Sequence, residues 1–231
     1  MTSGPVEGNG DASAWPAGFA LDVVRARVER YYAAKLARHG ATALGVDWSC
    51  KATQWLRFVQ LLKICPLGRP FSLIDLGCGY GALPEFLAEF HPGARVQYLG
   101  IDLSPAMIRR ARRRHRSKPS IRFAVIGRNS PRPADYAVAS GIMNVMLGHS
   151  LPLWEGFVRA SLLDLHHMGR QGFAVNFLTA PPPDSIPGQL YCPDPATWIR
   201  FCEYELGRSV ELLDDYGMGE FTLLARSRDS A

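Results

Sequence analysis

The sequence predicts an α/β fold: a doubly wound, mostly parallel seven-stranded sheet with an antiparallel last strand, helices on both faces and an N-terminal helical cap. Three observations carry this. Short apolar runs alternate with segments of helical period from residue 71 to residue 178. A glycine-rich turn, Gly77-Cys78-Gly79-Tyr80-Gly81, directly follows the first of those runs, and two amphipathic patterns precede everything that reads as strand. Parallel strands need crossover helices, and a strand covered on both faces reads as a continuous apolar run, which is the pattern here.

Residues 1–18 are rich in Gly, Ser, Ala and Pro and poor in large apolar side chains, which predicts a disordered tail. One domain is expected over 19–231, divided into a helical lid (19–67) and a core (68–231). In the lid, Leu21, Val24, Val28, Tyr31 and Tyr32 recur at helical spacing, and Gly40 is placed to end that helix. Ser49 stands where it can cap a second helix carrying Ala52, Trp55, Leu56, Val59 and Leu62, which runs towards Pro66. Strands are predicted over 71–75, 96–101, 121–126, 136–139 and 172–178. Helices separate them: one from the glycine turn through Phe90, one from Ser104 into a basic run, and one over 153–167. Pro181, Pro182, Pro183 and Pro187 mark a long loop, after which a helix over 196–206 and strands over 210–213 and 221–225 finish the chain.

Composition narrows the function classes. The 231 residues are 47% hydrophobic and 20% charged, the balance of a globular chain. The formal charge of +5 is local, because seven of the 26 Lys and Arg lie between Arg109 and Lys118 and the remainder is slightly acidic. Met107, Ile108, Ala111 and His115 share one face of that helix and every arginine falls outside it, so the run reads as a solvated outer face; nucleic acid is the alternative partner. No apolar stretch approaches the roughly 20 residues that span a bilayer, and no basic segment followed by an apolar one opens the chain. Five cysteines without a C-x-x-C pair disfavour a disulfide framework and a zinc site. The expectation is a cytoplasmic protein, without a membrane partner, as a monomer or homodimer.

The segment that carries chemistry is Phe71-Ser-Leu-Ile-Asp75-Leu-Gly77-Cys78-Gly79-Tyr80-Gly81. Glycines let the backbone take positive φ and come close to a ligand, and the next helix aims its N-terminus at the same place. Asp102 ends the next strand in Gly100-Ile-Asp102-Leu103-Ser104, where an acid accepts hydrogen bonds from ribose hydroxyls. Asp75 and Asp102 thus frame a nucleoside-sized cleft. A nicotinamide dehydrogenase is one rival, but its turn reads G-x-G-x-x-G and the third glycine here comes one residue sooner. Tyr31-x-x-x-Lys35 has a dehydrogenase-like spacing yet precedes the nucleotide strand. A binding protein of this fold without chemistry is the other rival.

D-x-G-x-G-x-G followed by G-I-D-L-S resembles motif I and its successor in class I S-adenosylmethionine (SAM)-dependent methyltransferases, and residues 71 to 226 resemble them in element order. The N-terminal segment from Tyr31-Tyr32 through Gly45-Val46-Asp47-Trp48 is similar to a group of compact bacterial methyltransferases. The resemblance implies SAM as cofactor and a methyl group passed to an oxygen, nitrogen or carbon of a small organic molecule, in bacterial secondary metabolism. It implies that the turn at Asp75, Gly77, Gly79 and Gly81 passes beneath the methionine part, that Asp102 holds the ribose, and that Leu103 and Met107 lie near the adenine; Cys78, a small space-filler in the turn, and Ser140, in the segment 140–144 expected to meet the substrate, complete the expected cofactor-binding residues. The acid that many members place after the third strand is absent from Val125-Ile126-Gly127-Arg128-Asn129, where backbone or Asn129 takes its place.

Candidate polar residues near the acceptor are Tyr31, Tyr32, Lys35, His39, Trp48, Arg57, Asn144 and Tyr191. His39, Tyr32 and Asn144 are the catalytic candidates. Arg57, set among Trp55, Leu56, Phe58 and Val59, needs a partner, and the SAM carboxylate is the candidate; the alternative is a surface arginine whose stem covers apolar neighbours. His39 beside Gly40 is either a general base or a cation favoured by the helix dipole. Tyr31, Tyr32 and Trp48 either shape the cleft or pack in the core.

Overall fold

The computed structural model describes residues 17–48, 50–127, 131–181, 185–186 and 188–228. The expectations for the tail through residue 16, for Ser49, Arg128 and Asn129, and for Pro182, Pro183 and Pro187 lie outside the described residues. Helix α1 (Ala17–His39) begins inside the stretch expected to be tail, and a 3-10 turn (Ala43–Val46) links it to α2 (Lys51–Leu62). The core then alternates: β1 (Phe71–Leu76), α3 (Ala82–Phe90), β2 (Val96–Asp102), α4 (Pro105–Arg114), β3 (Ile121–Val125), β4 (Ala134–Ala139), α5 (Leu151–Met168) and β5 (Gly169–Leu178). Helix α6 (Pro195–Arg200) continues into a π-helical turn (Phe201–Glu205), followed by β6 (Arg208–Leu213) and β7 (Glu220–Ser227).

The strand order is β3-β2-β1-β4-β5-β7-β6. The first five strands are parallel, and β7 runs antiparallel to both β5 and β6. The sheet is covered on both faces, and neighbouring residues on one strand serve opposite faces because side chains alternate. Leu73 packs into a cluster with α2, α3 and α4, whereas Ile74 and Leu76 join one with α5 and α6. This two-sided burial explains why β1 is almost wholly buried.

Helix α1 contributes to both clusters. Val24 and Val28 enter the α5 side with Leu99, Ala124 and Ile126, Leu36 enters the α2 side, and Tyr32 touches both. The connection from β3 to β4 carries no helix among its described residues, and α1 packs against α5 and α4 on the side of the sheet where Leu99 of β2 and Ala124 of β3 join its cluster. The basic helix α4 behaves as its pattern predicts. Ser104 caps it by accepting from Met107 N, Met107, Ile108, Ala111 and His115 are buried, and its arginines are exposed. No helix among the described residues is long and apolar enough to cross a membrane.

Candidate active site

At the carboxyl ends of β1, β2 and β4 lies a cleft whose space, open solvent at its mouth included, is about 1160 Å³. The glycine turn forms its floor. Gly77 N and Cys78 N donate to Ile101 O at 2.8 and 3.1 Å, tying the turn to β2. Gly77, Gly79 and Gly81 have φ of 77°, 55° and 83°. Of the three, only Gly79 leaves room for a Cβ, with Val46 Cγ1 in contact at 3.4 Å. At Gly77 it would lie 2.2 Å from Ile142 Cγ2. Gly77→Ala combines left-handed strain with that overlap and should cost about 2 kcal/mol in urea unfolding; an unchanged midpoint would show that the loop after β4 yields freely.

Asp102 organises the turn from the opposite strand. Its carboxylate accepts from Gly79 N and Ser104 N, both at 2.8 Å, and lines the cleft. Enclosure pushes its pKa up to about 6, with the two amide bonds pulling the other way. Asp75 lies deeper, accepting from Tyr98 Oη at 2.6 Å. Burial pushes its pKa up to about 7 against the Tyr98 bond, and the charge of Asp102 adds to the rise.

Between the unfolded value near 3.8 and the folded value near 7, the folded state holds a proton on Asp75 that the unfolded chain has lost. The stability this carboxyl contributes is therefore complete below the lower value and is lost as pH rises through the upper one. Asp75→Asn should keep the Tyr98 contact and flatten the decline in stability between pH 5 and 8, read as unfolding midpoints against pH relative to wild type. Parallel profiles for the two proteins would overturn this.

The structure brings Tyr32, Asp75, Gly77, Cys78, Gly79, Asp102, Leu103, Met107, Ser140 and Trp48 around one cleft. Ser140 Oγ is buried without a hydrogen-bond partner among the described residues. Cys78 fills the space over Gly100, where a Cβ would meet its Sγ at 2.8 Å, and burial raises its thiol, so it stays neutral. Burial and the charge of Asp47 push the Tyr32 phenol well up, which makes it a hydrogen-bond donor rather than a base.

Seven expected site residues, Tyr31, Lys35, His39, Arg57, Gly81, Asn144 and Tyr191, lie off the cleft lining. Gly81 packs against Phe123 and His115, and its carbonyl is 2.8 Å from His115 Nε2; burial lowers that imidazole's pKa, so it acts as a neutral donor. His39 ends α1, half-buried, with its carbonyl accepting from Thr42 Oγ1. Asn144 is buried in the loop after β4, its carbonyl accepting from Tyr191 N. Arg57 is the clearest correction. A buried cation requires a carboxylate partner, and here it is Glu220 on β7, which accepts from Arg57 Nε at 2.7–2.8 Å and from Nη2, while Nη1 donates to Thr53 O. Each Arg57 nitrogen is already engaged by these partners and the side chain does not line the cleft, so Glu220 takes the place expected for a cofactor carboxylate. Lys35 likewise is taken by Asp47 at 2.6 Å, and Tyr191 donates to Glu155 while accepting from Trp198 Nε1.

Sequence reasoning missed the wall opposite the turn. Arg25, Val28, Glu29 and Tyr32 form one face of α1, and Phe157, Ser161, Asp164 and Met168 one face of α5. The signal was there: polar residues recur inside apolar stripes at helical spacing, where a purely structural helix keeps them on its outer side.

Residues 74–160 match the family model for a methyltransferase domain. A Mycobacterium tuberculosis protein, Rv1506c, whose name marks it as a methyltransferase, is 40% identical over 166 residues, covering 71% of this chain and 98% of that protein. Trans-aconitate 2-methyltransferase of Methylobacterium nodulans is 34% identical over 115 residues, covering 45% of this chain and 42% of that enzyme. Among solved structures, a SAM-dependent methyltransferase from Aquifex aeolicus aligns with a TM-score of 0.53 at 16% identity, over 76% of this chain and 92% of that one; at that identity the likeness carries the fold alone. Fold, glycine turn and full-length relative converge, and the chain belongs to the class I SAM-dependent methyltransferases.

Proposed function

We propose that the protein seats SAM across the glycine turn and transfers its methyl group to an oxygen or nitrogen of a small, uncharged or cationic organic molecule. The observation that carries this is Asp102, which clasps Gly79 N and Ser104 N while walling a cleft that also holds the unpartnered Ser140 Oγ. These residues fit the cofactor chemically. Asp102 offers acceptors for a ribose, Leu103, Met107 and Ile126 offer an apolar slot for an adenine, and the bare Gly79 leaves room for an amino-acid tail whose polar groups Ser140 can meet. When bound, SAM supplies a sulfonium methyl that is already electrophilic. The chain's task is therefore to orient the two partners, exclude water and accept a proton where the nucleophile carries one.

The N-terminal segment 19–67 serves as a lid over the core 68–231, since Tyr32, Val46, Trp48, Gln54 and Phe58 close the cleft from that side. Glu29 makes no ion pair or hydrogen bond with the described residues and is the candidate proton acceptor. A pH-rate profile unchanged in Glu29→Gln would remove it from that role.

The trans-aconitate enzymes make a polycarboxylate the first acceptor to consider. Here Glu29, Asp102 and Asp164 line the cleft as carboxylates, Asp75 keeping its proton up to about pH 7, against one cation, Arg25, which already lies 3.7 Å from Asp22 and 3.9 Å from Asp164. Several carboxylates facing a tricarboxylate repel it, so the lining supports an acceptor without negative charge. The arginines of α4 point away from the cleft, which favours a small molecule over nucleic acid. Calorimetry with SAM and S-adenosylhomocysteine, followed by transfer of labelled methyl to panels of amines, phenols and carboxylates, tests the reading. No response to either compound would defeat the proposed seat, and a preference for polycarboxylates would defeat the acceptor class.

A further inference from the structure

Behind the cleft wall five residues close a ring of contacts. Glu220 takes the Arg57 guanidinium, and Arg57 lies flat on the Trp48 ring, 3.6 Å from its centroid. The Cζ2–Cη2 edge of Trp48 lies against Gly141, where a Cβ would come within 2.2 Å of Trp48 Cζ2. Gly141 N donates to Asn176 Oδ1 at 2.8 Å, and Asn176 Nδ2 returns to Glu220 at 2.9 Å. Trp48 and Gly141 line the cleft, whereas Arg57, Asn176 and Glu220 do not. The three hidden members are 6%, 0% and 1% exposed.

We propose that Glu220 is a positioning residue for methyl transfer, one buried carboxylate whose two arms set the plane of Trp48 and the direction of the Gly141 amide on either side of the space beside Ser140. Stability alone does not call for this arrangement. Burying two charges carries a desolvation penalty that well-packed apolar residues of similar volume avoid, so the same segments would hold together as well without ions. What apolar packing does not do is fix a ring plane and an N–H direction at once. Gly141 also has φ of 73°, a conformation that the Asn176 bond holds from behind. The relay therefore couples the α2 side of the cleft to the loop after β4, and it rests on the SAM seat proposed above.

The test uses Glu220→Gln and Asn176→Ala in the full chain, neither of which alters a residue lining the cleft. S-adenosylhomocysteine affinity is measured by calorimetry at a temperature where circular dichroism shows each variant folded, and exchange of the Gly141 amide is followed without ligand. The expected results are affinity weakened about tenfold in Asn176→Ala and faster exchange at Gly141 in Glu220→Gln, which does not touch that amide. Affinity and exchange both matching wild type in folded variants would overturn the proposal and leave the ring a structural clamp. If Asn176→Ala does not fold, Glu220→Gln carries both measurements. A wild-type protein that binds no S-adenosylhomocysteine would defeat the SAM seat, while Gly141 exchange in Glu220→Gln would still decide the relay.

Discussion

Asp102→Ala is expected to weaken S-adenosylhomocysteine binding about 100-fold, roughly 2.7 kcal/mol. Two losses add. The variant gives up acceptors for the ribose, and it releases Gly79 N and Ser104 N, which now hold the turn and the start of α4 in place. The ionised carboxylate accepts on both oxygens, whereas protonation turns one of them into a donor and weakens the other as an acceptor; its pKa of about 6 places the loss of the ionised form just below neutrality. Wild-type affinity should be level at higher pH and fall by up to about tenfold per unit below that value. In Asp102→Ala the inflection should vanish. Calorimetry across pH 5 to 8 checks both, and affinity in the variant within about threefold of wild type would place the nucleoside elsewhere.

Arg57→Ala should cost about 3–5 kcal/mol, because it strands Glu220 as an unpaired buried charge. For a chain of this size the melting midpoint should drop by roughly 10 °C. The pair is 163 residues apart and joins α2 to β7, so its loss loosens segments that lie far apart in the chain. Arg57→Gln combined with Glu220→Gln removes both charges and should recover most of the midpoint. If the double variant melts as low as the single one, packing around the guanidinium, including its stack on Trp48, dominates instead of charge.

What the sequence made legible follows from the range of each interaction. The turn at Gly77 to Gly81, the acid ending β2 and the buried face of α4 are written in neighbouring residues, and local periodicity recovers them. The starts of β4 and β5 were placed two and three residues late, since Ala134, Gly169, Arg170 and Gln171 lack the apolar signature of their strands. The partner of Arg57 was out of reach for a different reason. Its need for a carboxylate follows from its apolar setting, but nothing local separates Glu220 from the other acids. The α1 and α5 walls show that a stripe's direction is readable while the surface it meets is not, because that depends on which distant elements pack against it.

The position of α1 also dictates an order of events. Its apolar stripe comes before the helices it packs against, and Val24 and Val28 have no surface to meet until α5 and the strands beneath it are in place, on the order of a hundred residues further along. The helix closest to the start of the chain is thus a late arrival in folding. The cleft it walls exists only after that docking, so a ligand of the cleft stabilises the finished molecule and gives no help to its precursors.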